Sequence, residues 1–229
     1  MDCLGAFDSA IFHGISSLRN ANKRFQEQGG FPIVENILKP LFLQHDVVNL
    51  FGVALVHRHS DLDEGTVLVE KDKITAPWQC ENSFTKYGGE IVPTSWLCKG
   101  AKIFPYEFTF SPYSKATPPE LENYASFVEA YFGMVKHHGL DEFIGLRRLP
   151  GYKCTGMLEC TEGKVNIMFP MNEVCLPLPA TEYPNTNYSR SLRNASKMEQ
   201  IQCGFLIVII HTGYINVFAQ TPDNHLDQP

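Results

Sequence analysis

The chain has 229 residues, 44% of them hydrophobic and 12% aromatic, and a formal net charge of −6 from 25 acids and 19 bases. That length suits one large domain with a sizeable core. The acidic balance disfavours a nucleic-acid binder, which needs a basic face against phosphates. No apolar run approaches the roughly 20 residues of a membrane helix.

The first residues, Met1-Asp-Cys-Leu-Gly5, have neither a basic start nor an apolar stretch, so no leader and a cytoplasmic setting are expected. Phe7, Ile11, Ile15, Leu18 and Phe25 recur near the helical period and predict one amphipathic helix over 7–28, stopped by Gly29-Gly30. A second helix is expected at 32–44, ended or kinked by Pro40. Phe51 to His57 is short, continuously apolar and strand-like. With Thr66 to Glu70 it predicts a hairpin whose loop is 60–65.

Further strands are expected at 74–79, 90–97 and 102–110. In the last, Phe104, Tyr106, Phe108 and Phe110 alternate with Pro105, Glu107 and Thr109; Glu107 could face a cavity, and so could Glu159 on its own strand, but alternation more simply sets it toward solvent. Residues 111–119 read as a loop, and Thr117-Pro-Pro-Glu120 as the capped start of one long helix carrying Leu121, Tyr124, Phe127, Val128, Tyr131 and Val135 on its apolar stripe. Strands return at 154–160, 164–169 and 203–219, and alternation again sets Glu159 toward solvent. Seven cysteines at 3, 80, 98, 154, 160, 175 and 203 show no CxxC spacing and read as thiols, not a disulfide framework. The pattern predicts an α+β fold: a mainly antiparallel sheet, a helical N-terminal segment at 1–44, one long mid-chain helix and a tail at 221–229, all in a single domain.

One segment stands out chemically: Gly52-Val-Ala-Leu-Val-His57-Arg-His59-Ser-Asp61-Leu-Asp63-Glu64. On an extended chain residues i and i+2 share a face, so His57 and His59 point the same way, joined by Asp61 if the strand continues. Histidine with carboxylate suits iron, manganese or zinc. The candidate catalytic set is His57, His59 and Asp61; the candidate metal ligands are His57, His59, Glu64 and the distant His211. A non-metal reading stays open, in which the histidines bond backbone and the acids solvate a turn. Even then an imidazole beside a carboxylate can act as an acid–base pair.

Gly52, His57, His59 and Glu64 resemble the cupin order of glycine, HxH and glutamate, with the glycine gap one residue short. His59-Ser-Asp61 with His211 resembles the H-x-D…H facial triad, without the arginine that would clamp 2-oxoglutarate. His57, His59 and Asp61 are also similar to the HxHxDH of metallo-β-lactamases, with Leu62 where the last histidine belongs. The V-H-R-H-x-D-L segment at 56–62, Gly65-x-x-Leu-Val-Glu70 and Pro105-Tyr-Glu-Phe108 resemble a broad group of uncharacterised fungal proteins over most of 45–110. The likeness carries over no catalytic residue; with the His/carboxylate segment itself, the expectation is a fungal-type enzyme acting on a small organic molecule, with secondary metabolism as one setting. The alternatives are a non-catalytic ligand-binding or regulatory module, and an aminoacyl-tRNA-dependent arginine-containing cyclodipeptide synthase, for which Arg190 and Arg193 would face tRNA.

Overall fold

The computed structural model describes residues 3–79, 87–115, 118–149 and 157–170, and the backbone of 202–203, 210–211 and 214–215. Five short to medium helices precede or punctuate a large mixed sheet: α1 (Ser9–His13), α2 (Leu18–Glu27), α3 (Gly30–Ile33), α4 (Lys39–Gln44) and α5 (Ala125–His137). The strands are β1 (Phe51–Leu55), β2 (Thr66–Lys71), β3 (Ile74–Gln79), β4 (Gly89–Lys99), β5 (Lys102–Pro112), β6 (Ile144–Arg148), β7 (Met157–Glu162), β8 (Val165–Pro170), β9 (Gln202–Cys203), β10 (Ile210–His211) and β11 (Tyr214–Ile215). Nine of them form one sheet in the order β1-β6-β4-β5-β2-β3-β8-β7-β9, and β10 pairs with β11. Among the described residues of the sheet only the β2–β5 pair is parallel, so the expected α+β class with a mainly antiparallel sheet is found. No helix among the described residues is long and apolar enough to cross a membrane.

The predicted 7–28 helix is two helices. Asp8 caps α1 and Ser17 caps α2 through their side chains. The break between them is occupied. The Arg58 N–H donates to the Ser16 carbonyl at 3.0 Å, and Ser17 bridges Arg58, so this backbone is spent on a strand contact. The predicted single stripe therefore serves two cores. Phe7, Ile11, Phe12 and Ile15 pack with Val56, Leu62, Leu68, Leu97, Phe104 and Tyr106 on one face of the sheet. Ala21 and Phe25 join Phe42, Phe127, Tyr131 and Val135 over Val53, Leu55, Trp96 and Leu146 on the other.

The 32–44 helix forms, and it accommodates Pro40 by widening. Val34–Leu38 is a π-turn between α3 and α4. Proline offers no N–H and its ring crowds the carbonyl four residues back, and a wider turn relieves both. The mid-chain helix begins with a 3-10 turn, Leu121–Tyr124, and Glu120 makes no side-chain cap bond. Its proposed cap Thr117, and the tail after Thr221, lie outside the described residues.

The predicted hairpin of 51–57 with 66–70 does not form. β1 pairs instead with β6, a strand the sequence reading missed, and β2 pairs with β3 and β5. β6 (Ile-Gly-Leu-Arg-Arg) carries two charges at its end, which hid it among loop residues. Its Gly145 is required by packing: a β-carbon there would fall 2.5 Å from the Trp96 carbonyl oxygen and 2.8 Å from Val56. We expect Gly145→Ala to destabilise the protein by about 1–3 kcal/mol, because neither backbone nor β-branched neighbour can yield cheaply. Urea denaturation reads the shift, and an unchanged midpoint would refute the packing argument.

Candidate metal centre

The site begins where β1 ends. Beyond it the chain is pinned at Arg58, whose N–H donates to the Ser16 carbonyl and whose Nε donates to the Ile15 carbonyl at 2.8 Å. With Arg58 held on one side, His57 and His59 turn to the other, as the i, i+2 rule requires. A second i, i+2 pair meets them from β7: Glu159 and Thr161. Side chains of His57, His59 and Glu159 are only 11%, 10% and 14% exposed.

The hydrogen bonds fix which imidazole nitrogens are free. His57 Nδ1 lies 2.8 Å from the Leu55 carbonyl oxygen, which can only accept, so Nδ1 carries the hydrogen. Thr161 donates its single hydroxyl hydrogen to Asn166 Oδ1 at 3.0 Å and therefore accepts from His59 Nδ1 at 2.8 Å. Both rings thus present Nε2 lone pairs inward. Those two nitrogens are 2.8 Å apart. Lone pairs that close repel unless a proton or a cation lies between them. Glu159 Oε2 completes the group, 3.6 Å from His57 Nε2 and 3.3 Å from His59 Nε2.

Without a cation, protons on the inward Nε2 atoms supply the positive charge this geometry calls for, and a metal ion would have to displace them. Burial favours neutral groups, yet the hydrogen bond and charge of Glu159, with smaller help from the Leu55 carbonyl and Glu107, hold His57 above its ordinary value. Burial would likewise raise Glu159, but the charge of His59 and hydrogen bonds from both histidines hold its carboxyl well below the usual range. The pocket of charge is built for a carboxylate that stays ionised.

This triad could hold a metal ion: its ligand atoms all lie within 4.8 Å of one another. First-row metals bind nitrogen and oxygen ligands at about 2.1 Å, and three atoms separated by 2.8, 3.3 and 3.6 Å are close enough together for one such ion to be held by all of them. The Nδ1 partners of both histidines are of the kind that orient metal-bound imidazoles.

Of the sequence-derived candidates, the structure brings together His57 and His59. Asp61 turns away: its carboxylate pairs with Arg58 and sits 3.7 Å from His13 Nδ1, with a side chain 75% exposed. The i, i+2 run stops at His59 because the chain bends at His59 and Ser60. Glu64 is exposed in the turn before β2, and Asp63 takes Lys164 at 2.8 Å. The acid comes instead from Glu159, which plain alternation sets toward solvent. His211 lies on β10, and its side chain is outside the described residues, as are Arg190 and Arg193. Nothing local in the sequence marks Glu159, since an alternating strand with polar residues at 159 and 161 looks the same whether its polar face meets water or a site.

Comparison with known protein families, characterised proteins and solved structures gives no match. The site must therefore be read from its own chemistry.

Proposed function

We propose that this chain is a metal-dependent enzyme acting on a small organic molecule, with His57, His59 and Glu159 holding one divalent iron, manganese or zinc ion. One observation carries the reading: two imidazoles oriented by their Nδ1 bonds aim Nε2 lone pairs at a shared point beside an ionised, buried carboxylate. Structural metal sites are usually closed by four protein ligands, whereas three leave coordination positions for water or substrate. A metal held in this way polarises a bound oxygen or lowers the pKa of bound water. His211 enters the proposal as a further ligand on its strand position alone. The V-H-R-H-x-D-L resemblance supports a fungal, small-molecule setting.

The test is equilibrium dialysis of metal-stripped protein against zinc, manganese and, without oxygen, ferrous ion. One equivalent per chain is expected, lost in His59→Ala, and His211→Ala reports whether a fourth ligand exists. Wild-type protein that retains no metal would reject the centre. Metal uptake with no metal-dependent change in a metabolite extract would leave the same site as a non-catalytic binding module.

A further inference from the structure

The β7–β8 hairpin buries a residue that strand-forming preference does not explain. Asn166 lies within β8 and is 3% exposed. Asparagine is disfavoured in strands, and a buried amide costs free energy unless it is bonded. Its side chain meets Thr161, whose Oγ1 donates to Asn166 Oδ1 at 3.0 Å. Thr161 Oγ1 in turn lies 2.8 Å from His59 Nδ1. The amide therefore stands directly behind a ligand of the candidate centre, one hydroxyl away.

Three features of the fold fix this contact. Glu162 pairs with Val165 across a two-residue turn, in which Gly163 adopts φ 60°, a conformation glycine takes without strain. That turn sets the register in which Thr161 faces Asn166, so the two side chains stand side by side on one face. On the other edge of β8, Asn166 pairs with Thr75 of β3, which is buried as well. At the turn itself, Lys164 Nζ holds both carboxylate oxygens of Asp63 at 2.8 Å, tying the hairpin tip to the loop that follows His59.

Direction matters in this chain of bonds. A threonine hydroxyl has one hydrogen. Spent on Asn166, it leaves only lone pairs toward His59, and the ring donates from Nδ1. Nε2 is then the nitrogen open to a metal. With no acceptor at 166, the same hydroxyl is free to donate to Nδ1 instead, and the hydrogen of a neutral ring would sit on Nε2, where the ion belongs. The bond from Nδ1 holds whether or not Nε2 also carries a proton, so it is in place before any ion arrives.

Resting on the metal reading above, we infer that Thr161 and Asn166 are positioning residues acting as one unit: neither touches the ion, and together they commit His59 to bind it through Nε2. His57 needs no such pair, because the Leu55 carbonyl at its Nδ1 can only accept. That difference makes His57 an internal control.

The experiment titrates cobalt(II) into metal-stripped wild-type, Asn166→Asp, Asn166→Leu, Thr161→Val and doubly substituted Thr161→Val, Asn166→Leu protein. A competing chelator reports affinity. Proton NMR of the cobalt-loaded protein reports the ring N–H of each histidine, shifted by the nearby paramagnetic ion. Asn166→Leu is expected to bind about tenfold more weakly, as loss of a group behind a metal ligand does. Its His59 N–H signal moves or is lost to faster exchange, and its His57 N–H signal stays. Asn166→Asp keeps an acceptor and recovers most of the loss. Thr161→Val shows the same pattern as Asn166→Leu and carries the test if that variant does not fold; the double variant is no weaker than Thr161→Val alone. Wild-type affinity with an unchanged His59 signal in both single variants overturns the inference and leaves the metal reading intact. Additive losses in the double variant, or equal disturbance of both histidine signals, overturn it in favour of a general structural effect. A wild-type protein that takes up no cobalt removes the metal reading itself, and this inference with it.

Discussion

Glutamine in place of Glu159 is expected to weaken metal binding by at least about a hundredfold, whereas Asp61→Asn and Glu64→Gln leave it within about twofold. Glu159 Oε2 is 3.3 Å and 3.6 Å from the two Nε2 atoms, and its side chain is 14% exposed. A neutral amide there fills the same space and removes the anionic ligand. Asp61 and Glu64 are exposed, and Asp61 is already engaged by Arg58. Exposed carboxylates act through water and salt, so their removal changes little. The comparison separates the two candidate acids directly. Equal losses in Asp61→Asn and Glu159→Gln would mean that the loop, not β7, completes the site. In the metal-free protein Glu159→Gln should also lower stability at neutral pH, because a carboxyl held well below its usual range gains more from the histidines than its burial costs.

The contrast between those acids shows what the sequence could and could not convey. Period-2 geometry is a local property, so pairing His57 with His59 needed nothing beyond the extended chain. Extending the rule to Asp61 failed at a bend, which the loop residues Ser60 to Glu64 permit but do not announce. Glu159 needed tertiary knowledge. It reaches the histidines only because β7 comes to lie opposite the segment after β1, a long-range pairing that no local pattern encodes. Glu107 was misplaced for a different reason: alternation was applied across Tyr106, and the bulges at Tyr106 and Thr94 break it. The broad architecture was more legible, since strand runs and the α5 stripe follow from hydrophobic period. Pairing partners were not. β1 was matched to β2 by nearness in sequence, while the fold uses β6, whose Arg147 and Arg148 disguised a strand end. Glu107, Glu159 and Arg147 share one cause: each is a polar residue of the interior with the local pattern of one facing water, whereas Asp61 and Glu64 are the reverse.

Arg147 shows how strongly that interior polar set is constrained. Its guanidinium spans Glu107 at 2.8 Å and Glu70 at 2.6 Å, so one cation satisfies two carboxylates from two other strands. Methionine has a similar length and no charge, and would leave both carboxylates in a poorly solvated interior without their partner. Breaking a buried ion cluster from one side typically costs about 3–5 kcal/mol; Arg147 is one-fifth exposed, which places the expected loss toward about 3 kcal/mol. For a chain of this size that corresponds to a fall in melting temperature of about 6–12 °C. Lysine at 147 keeps the charge but cannot fork between two acceptors, so an intermediate loss is expected. The decisive variant removes all three charges. If the penalty of Arg147→Met arises from stranded carboxylates, then adding Glu70→Gln and Glu107→Gln to it should restore most of the stability, because neutral amides are far cheaper to bury. Urea midpoints of the single, lysine and triple variants measure the series. A triple variant no more stable than Arg147→Met alone would show that the guanidinium matters for packing across β6 and β2, not for charge. A triple variant restored to near wild-type stability would show that the fold needs the charges only to answer one another.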